Sequence, residues 1–303
     1  MHYSLASLFP MNIPTTRLGL RPRPFIWVLL LGCILAYPLA PAVSSPSGDK
    51  RDYILVINTY AESTPWSRGI ITDITARVEQ IENLELYTEH INLLLVDSPR
   101  EIETFETNLL REYGKKPPRA LVLIGTPTAL LRNFINSIWK GIPTIVCAEQ
   151  DFVGPDKYYQ KRLPIPASEQ VPLRTLADRD NLTLLYSPAY LDQSIDLMKR
   201  ILPGMDRLIF IDDARYVNRQ TEHDLAELLD SKYGGIKYTV YSADEIGIDQ
   251  LLDSLSTVDV KRTGVLFSSW HYLKNMSGRN EIMTNPFKII ASSSVPLFSL
   301  RPT

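Results

Sequence analysis

The sequence has few of the side chains that build disulfides and metal sites. Its 303 residues include two cysteines and four histidines. Cys33 lies in an apolar leader, so Cys147 has no partner for an internal disulfide and is typical of a small buried apolar group. No CxxC or HExxH spacing occurs, and the histidines are scattered along the chain: His2, His90, His223 and His271. We therefore expect no metal and no cofactor, and the small disulfide-stapled class of exported protein is excluded.

The motifs of common α/β enzymes are missing as well. The chain has no GxGxxG, GxxxxGKS or GxxxxGKT loop for phosphate and no GxSxG turn for a nucleophilic serine. We expect no catalytic activity in this chain. An exported hydrolase on an α/β scaffold is disfavoured by these absences, although fold-level analogy does not exclude it.

An excess of basic charge is also absent. The net charge is −2 at pH 7, and loss of residues 1–42 would remove three arginines and no acid, which makes the mature chain −5. No basic face is offered to nucleic acid, so we expect no nucleic-acid partner.

The first 42 residues predict a secretory signal peptide. Arg17, Arg21 and Arg23 form a basic region, an apolar run covers residues 25–40, and the run ends in the small-residue pattern Ala40-Pro41-Ala42. The run is shorter than the roughly 20 residues that cross a bilayer, which favours cleavage over an uncleaved anchor. Lipidation at Cys33 is a further alternative. The expected location is the periplasm or the outer face of the inner membrane.

Short apolar runs alternate with amphipathic stretches from residue 52 onward. YILVINTY and RALVLIG are typical of buried strands, and helices are predicted at 68–81 and 99–113. After a proline-rich stretch at 151–180, the alternation resumes with DRLIFIDD and TGVLFSSW. Runs of this kind predict βαβ units, and hence an α/β fold with two doubly wound parallel-sheet lobes.

The sequence pattern divides the chain into four regions, and the end of the last region has two interpretations. The final apolar run, VPLFSL, indicates that the last lobe is either truncated or closed by an edge strand. We assign residues 1–42 to the signal peptide, 43–51 to a linker, 52–180 to the N-terminal α/β lobe with its connecting segment, and 181–303 to the C-terminal α/β lobe.

Several of these stretches resemble one known family. The family is that of the type I periplasmic-binding-protein-like sensor domains related to ABC substrate-binding proteins. Four stretches of this chain are similar to segments of those domains: YILVINTYAESTPWSRGI, RALVLIGTPTALL, GIPTIVCAE and YLDQSIDLMKRILPGMDRLIFIDD. Such domains are the input part of bacterial two-component histidine kinases, including hybrid ones. The resemblance implies a small-molecule ligand and either a membrane histidine kinase portion or an ABC permease as partner, with a homodimer as a further expectation. The chain departs from the kinases because it has no kinase motif, and a longer parent protein could carry that activity.

Candidate ligand contacts in the first lobe follow the strand ends, because ligands of open α/β sheets bind beyond the carboxyl ends of the strands. Tyr60, Ser63 and Trp66 lie after the first strand, where hydroxyls and an aromatic ring could meet a ligand. The alternative is that Trp66 packs under the loop and the serines cap the helix. Thr126 is either a ligand contact or a helix cap. Glu149 either binds a ligand or is a solvated loop acid.

Candidate contacts in the second lobe are Asp213, Trp270 and His271. Asp213 ends a strand and is followed by Arg215 and Tyr216, so it either holds a polar ligand or makes an ordinary ion pair. Trp270 and His271 follow VLFSS and offer a stacking face and a titratable donor. The alternative for this pair is a structural tryptophan beside a satisfied histidine.

Overall fold

The computed structural model describes residues 51–300 apart from residues 63, 94, 95, 97, 178–180, 214, 275–279 and 283–286. The predicted signal peptide, residues 43–50 of the predicted linker, and residues 301–303 lie outside the described residues. Within the described ranges, no helix is both long enough and apolar enough to cross a membrane.

A five-stranded parallel sheet forms the first half of the molecule, with the strand order β2-β1-β3-β4-β7. Most of its strands are short apolar runs, as expected where both faces of a parallel sheet are covered. The strands are β1 (Asp52–Asn58), β2 (Leu84–His90), β3 (Ala120–Ile124), β4 (Thr144–Ala148) and β7 (Leu182–Tyr186).

Helices cover both faces of this sheet. On one face, Val56, Val122 and Ile124 pack against the apolar side of the first helix, and on the other face Leu55 and Ile57 meet the remaining helices. The second helix begins with a capping box, in which the Ser98 backbone N–H donates to Glu101 Oε2 at 3.0 Å. The helices are α1 (Pro65–Val78), α2 (Pro99–Tyr113), the 3₁₀ segment Thr126–Leu131, and α3 (Arg132–Ile138).

A connecting segment joins β4 to β7. It contains a short antiparallel pair, as the prolines and mixed charges of this stretch permit no long element. Its elements are β5 (Phe152–Val153), α4 (Asp156–Lys161), the 3₁₀ turn Ala167–Glu169, β6 (Val171–Pro172) and α5 (Arg174–Ala177).

A second parallel sheet follows, with the strand order β13-β10-β8-β9. Its strands are β8 (Arg207–Asp212), β9 (Lys237–Ser242), β10 (Thr263–Phe267) and β13 (Phe298–Ser299), and β11 (Tyr272–Lys274) and β12 (Asn280–Ile282) form a separate antiparallel pair. The accompanying helices are α6 (Leu191–Ile201), α7 (Tyr216–Lys232), α8 (Ile248–Ser256) and α9 (Phe287–Ser292).

The two sheets repeat one connectivity. In each, the first strand lies between the second and the third, and the fourth follows the third. This is the doubly wound order, so the predicted class, α/β with two parallel-sheet lobes, is confirmed. The boundary differs from the prediction, because β7 pairs with β4 from Thr144↔Leu182 to Ala148↔Tyr186. The first sheet therefore ends after Tyr186 rather than before Asn181, since a short strand pattern does not reveal which sheet it joins.

Candidate functional site

The loop after β1 is fixed by a buried polar side chain. Asn58 is fully buried, and its Oδ1 accepts a hydrogen bond from the Tyr60 backbone N–H at 3.1 Å. Its Nδ2 lies 3.3 Å from Ser67 Oγ and 3.1 Å from His90 Nδ1. These contacts tie β1, β2 and the start of α1 together, and they set the direction in which the chain leaves the sheet.

Tyr60 and Trp66 pack against each other at this strand end. Their ring centroids are 5.9 Å apart and the planes meet at 82°, an edge-to-face contact. Tyr60 is only 6% exposed, yet its hydroxyl has no hydrogen-bond partner among the described residues. Trp66 therefore packs against the Tyr60 ring. This contact agrees with the interpretation in which Trp66 packs under the loop. Ser63, the third predicted contact of this loop, lies outside the described residues.

Thr126 and Glu149 lie at the ends of β3 and β4 and contact each other. Glu149 Oε2 accepts hydrogen bonds from the Thr126 backbone N–H at 3.1 Å and from its hydroxyl at 3.3 Å, and both residues are buried. Thr126 Oγ1 in turn accepts from the Gln150 backbone N–H at 3.2 Å. Glu149 therefore caps the 3₁₀ segment that begins at Thr126.

Asp213 is the centre of a polar network in the second lobe. Its fully buried carboxylate accepts hydrogen bonds from Arg215, Asn218, Ser269 and the His271 backbone N–H. The Arg215 Nε contact is 2.9 Å and the His271 contact is 2.8 Å. These donors come from α7, the loop before it and the loop after β10. The Asp213 carboxylate therefore links three parts of the second lobe by hydrogen bonds.

The pKa values of this network reflect burial and charge together. Burial alone would raise the pKa of Asp213, but Arg215 and the His271 backbone N–H outweigh it and hold this pKa below its usual value. Burial, reinforced by the positive charge of Arg215, lowers the pKa of His271 to about 4 against the pull of Asp213. His271 is therefore neutral at pH 7, and Asp213 is ionised.

Trp270 lies apart from these polar groups. It is fully buried in the core of the second lobe with Ile209, Phe267 and Ile289. Its ring has no exposed face in this geometry, and its indole Nε1 has no hydrogen-bond partner within the described ranges. A stacking role for Trp270 stays a prediction.

A small cavity lies between the strand ends of the two sheets, and we call it the interlobe cavity. Its volume is about 30 Å³. The first lobe, the connecting segment and the start of α7 all contribute to its wall, which is lined by Thr59, Tyr60, Leu93, Pro127, Tyr159, Arg162, Arg215, Tyr216 and Val217.

Of the predicted contacts that the structure describes, only Tyr60 lines the interlobe cavity. Asp213 reaches it indirectly through Arg215. Arg215 and Tyr216 were considered together with Asp213 at the end of β8, whereas Tyr159 and Arg162 were not predicted. Arg215 and Tyr216 follow β8 just as Tyr60 follows β1, so the repeated connectivity was a usable signal for them. The sequence holds no such signal for Tyr159 and Arg162, because residues 151–180 show no periodicity.

Metal ligands do not cluster in the part of the chain that the structure describes, where no group of three or more His, Cys, Asp or Glu residues is placed to hold an ion. The polar groups that line the interlobe cavity are hydroxyls and guanidinium groups. These groups are suited to hydrogen bonding with an organic ligand.

No protein family model matches the sequence, and no match to a curated protein was found. Three solved structures are similar in chain trace. A conserved domain protein from Vibrio cholerae O1 biovar eltor is 14% identical with a TM-score of 0.47, over 82% of this chain and 74% of that one. The ligand-free, open structure of a substrate-binding protein with adhesive properties from Clostridium difficile is 11% identical with a TM-score of 0.44, over the same shares. A putative LacI transcriptional regulator from Bacteroides fragilis is 12% identical with a TM-score of 0.44, over 82% and 77%.

Proposed function

We propose that the chain is an extracytoplasmic module that binds a small ligand between its two lobes and feeds a membrane histidine kinase of a two-component system. The ligand would lie in the interlobe cavity, where Tyr60 comes from one lobe and Tyr216 from the other. A ligand that contacts both lobes favours the geometry in which they are close. That shift in population is the signal passed to the kinase.

One observation carries the proposal. Tyr60 and Tyr216 are each 6% exposed and line the same cavity. The Tyr60 hydroxyl has no hydrogen-bond partner among the described residues, and the Tyr216 hydroxyl has none beyond the nearby Gln150 side chain. A buried polar group without a partner costs about 1–3 kcal/mol. A buried hydroxyl without a partner on the wall of the cavity is explained if a ligand supplies the missing hydrogen bond.

The test is a thermal-shift screen of the protein produced from the full sequence against sugars, amino acids, nucleosides and organic acids, followed by titration of each hit. We expect Tyr60→Phe and Tyr216→Phe to weaken binding of a hit about three- to tenfold, since one hydrogen bond is lost in each. The unliganded protein should keep its stability or gain some, because an unpaired buried hydroxyl has been removed.

Tyr238→Phe is the matched control. The Tyr238 hydroxyl is also buried without a partner, but it belongs to β9 and does not line the interlobe cavity. This variant should leave the dissociation constant unchanged. If the two cavity variants bind every hit as tightly as Tyr238→Phe does, the ligand lies elsewhere and the site assignment is wrong.

The kinase connection has its own support and its own test. It rests on the resemblance of the segment ESTPWS to sensor domains of hybrid histidine kinases. The alternative is a free-standing solute-binding protein that delivers its ligand to an ABC permease. An adjacent histidine kinase reading frame, together with ligand-dependent phosphorylation of that kinase, is the expected result. An adjacent permease operon and ligand uptake that depends on this chain would overturn the sensor role in favour of transport.

A further inference from the structure

The charged lining of the interlobe cavity has one sign. Of the described residues that line it, Arg162 and Arg215 are charged, and none is acidic. The rest of the wall is aromatic, aliphatic or hydroxylated. A guanidinium group offers a planar array of N–H donors that matches the oxygens of a carboxylate or a phosphate.

Arg215 is held in position by the network behind it. Its Nε and its backbone N–H both donate to Asp213 Oδ1, at 2.9 Å and 3.2 Å, and its side chain is 12% exposed. Burial is the main cause of the lowered pKa of His271, and the positive charge of Arg215 adds to it. The buried aspartate thus orients Arg215 at the cavity wall.

Arg162 is positioned by a tight helix end. It follows α4 in the left-handed conformation, with φ of 54°. Its backbone N–H donates to the Tyr159 carbonyl at 3.2 Å, and the Leu163 N–H donates to the Tyr158 carbonyl at 2.9 Å. These bonds close the turn and hold the start of the Arg162 side chain at the cavity wall.

The apolar wall is built around two aromatic rings that pack on each other with their planes tilted by 58°. The rings of Tyr159 and Tyr216 are 4.7 Å apart between centroids, and both line the cavity beside Pro127 and Val217. The Gly154 backbone N–H donates to the Tyr159 hydroxyl at 3.1 Å, which fixes that ring. An aromatic wall next to guanidinium groups favours a ligand that carries a planar apolar part and an oxyanion.

We propose that the interlobe cavity takes a small organic anion whose carboxylate or phosphate contacts Arg162 and Arg215 and whose flat apolar part lies against Tyr159 and Tyr216. This inference rests on the proposed function, because it names the ligand class of that same site. In this geometry the cavity has room for little more than water, so the two lobes must separate to admit the ligand.

Four compounds with the same ring separate charge from shape. Benzoate and phenyl phosphate carry the two oxyanions, benzamide is neutral, and benzamidine is cationic. Isothermal titration of the protein produced from the full sequence, at low ionic strength, should show one anion binding at least about tenfold more tightly than benzamide. Benzamidine should bind most weakly, and added salt should weaken the anion alone. The stronger of the two anions identifies the oxyanion.

Substitutions of one arginine test the contact directly. Arg162→Gln should weaken binding of the preferred anion at least about tenfold and leave benzamide binding unchanged. Arg162→Lys keeps the charge but not the planar fork, so it should recover only part of the loss. Arg119→Gln is the control, because Arg119 is an exposed cation paired with Asp52 and does not line the cavity. It should bind the anion like the unmodified protein.

The outcomes distinguish the two proposals. If benzamide binds as tightly as the anions, or if Arg162→Gln binds them normally while Tyr60→Phe does not, the anion inference is overturned and the interlobe site stands. If none of the four compounds binds and the wider ligand screen is also negative, both are overturned. Tight anion binding lost in Arg162→Gln and Tyr60→Phe alike supports both.

Discussion

Single residues: Asp212 and Asp213 are adjacent buried carboxylates in opposite environments. Asp213 accepts hydrogen bonds from four residues, whereas neither carboxylate oxygen of Asp212 has a hydrogen-bond partner among the described residues. The nearest cation to Asp212 is Arg219, whose Nη1 lies 3.8 Å from Asp212 Oδ2. Burial raises the pKa of Asp212 to about 7, against opposing effects of Ser242 and Arg219.

Asp212→Asn should therefore change how stability depends on pH. A carboxyl whose folded pKa is raised contributes stability that is present below its unfolded value, near 4, and lost as the pH rises through about 7. Relative to the unmodified protein, the variant should gain roughly 2 kcal/mol between pH 5 and pH 8. Urea unfolding at the two pH values measures this difference.

Asp244→Asn is the control for that experiment. Asp244 is bidentate with Arg219 at 2.7 Å and 2.8 Å, and its pKa is lowered because Ser242 and Arg219 outweigh burial. Its contribution is present throughout pH 5–8, so this variant should lose about 1–3 kcal/mol equally at both values. An Asp212→Asn effect that does not vary with pH would contradict the raised pKa.

Gly125 is the residue that lets β3 turn into the 3₁₀ segment. Its φ is 99°, and a Cβ at this position would lie 2.1 Å from Thr59 Oγ1. Gly125→Ala should lose about 3 kcal/mol or more, because it combines an unfavourable φ with a clash. Gly141→Ala has a similar φ, 81°, but nothing within 4 Å of the new Cβ, so it should lose only about 1–2 kcal/mol. Equal losses in chemical denaturation would mean that the contact with Thr59 relaxes freely.

How well single site residues could be predicted from the sequence depends on what the end of a strand indicates about its neighbours. The end of a strand indicates proximity to the cleft, and Tyr60, which follows β1, lines the interlobe cavity. It does not indicate which way the next side chain turns. Trp270 follows a strand end and packs into the core, while Glu149 turns to cap the neighbouring segment. Both directions are decided by contacts with residues distant in sequence.

Elements: the 3₁₀ segment and α3 leave an apolar cavity of about 50 Å³ against the first sheet. Val146 of β4 lines it together with Ile135 and Trp139. Val146→Ile should fill part of this space and raise the free energy of unfolding by about 0.5–1.5 kcal/mol. Val122→Ile is the control, because Val122 is 4% exposed on the opposite face and does not line the cavity. It should be neutral or destabilising through overpacking, and a gain in this variant as well would show that the cavity is not the cause.

The elements that sequence reasoning located well have strong local signals. The helix predicted at 99–113 is α2 with the same bounds, since proline at its start and the capping box fix its beginning. The helix predicted at 68–81 begins earlier, at Pro65, because the proline occupies the first turn rather than ending the loop. No local pattern in the sequence assigns β7 to the first sheet, because its partner β4 lies more than thirty residues earlier in the chain.

Whole molecule: the connecting segment ties the first lobe to α7 of the second. The Ile165 backbone N–H donates to Gln220 Oε1 at 2.7 Å, and both residues are fully buried. The same segment contributes Tyr159, which packs on Tyr216. The alternation of apolar runs predicted two lobes, but it did not predict this tie, because an amide that accepts from a distant backbone leaves no pattern in the sequence.

Gln220→Ala should weaken the tie between the lobes. The buried Ile165 N–H would lose its acceptor, at a cost of about 1–3 kcal/mol. Because this hydrogen bond joins the connecting segment to α7, we expect its loss to let the two lobes unfold separately. Unfolding followed by Trp66 and Trp139 in the first lobe should separate from unfolding followed by Trp270 in the second.

Gln170→Ala provides the comparison within the same segment. Gln170 Nε2 donates to the Ile165 carbonyl at 2.9 Å, so this bond stays inside the connecting segment and does not reach α7. Its loss should lower stability while the two sets of tryptophans still report a single transition. If Gln220→Ala also unfolds in one step by both sets of probes, the lobes are coupled mainly through the aromatic contact of Tyr159 with Tyr216. In that case Tyr159→Ala, rather than Gln220→Ala, should be the variant that uncouples them.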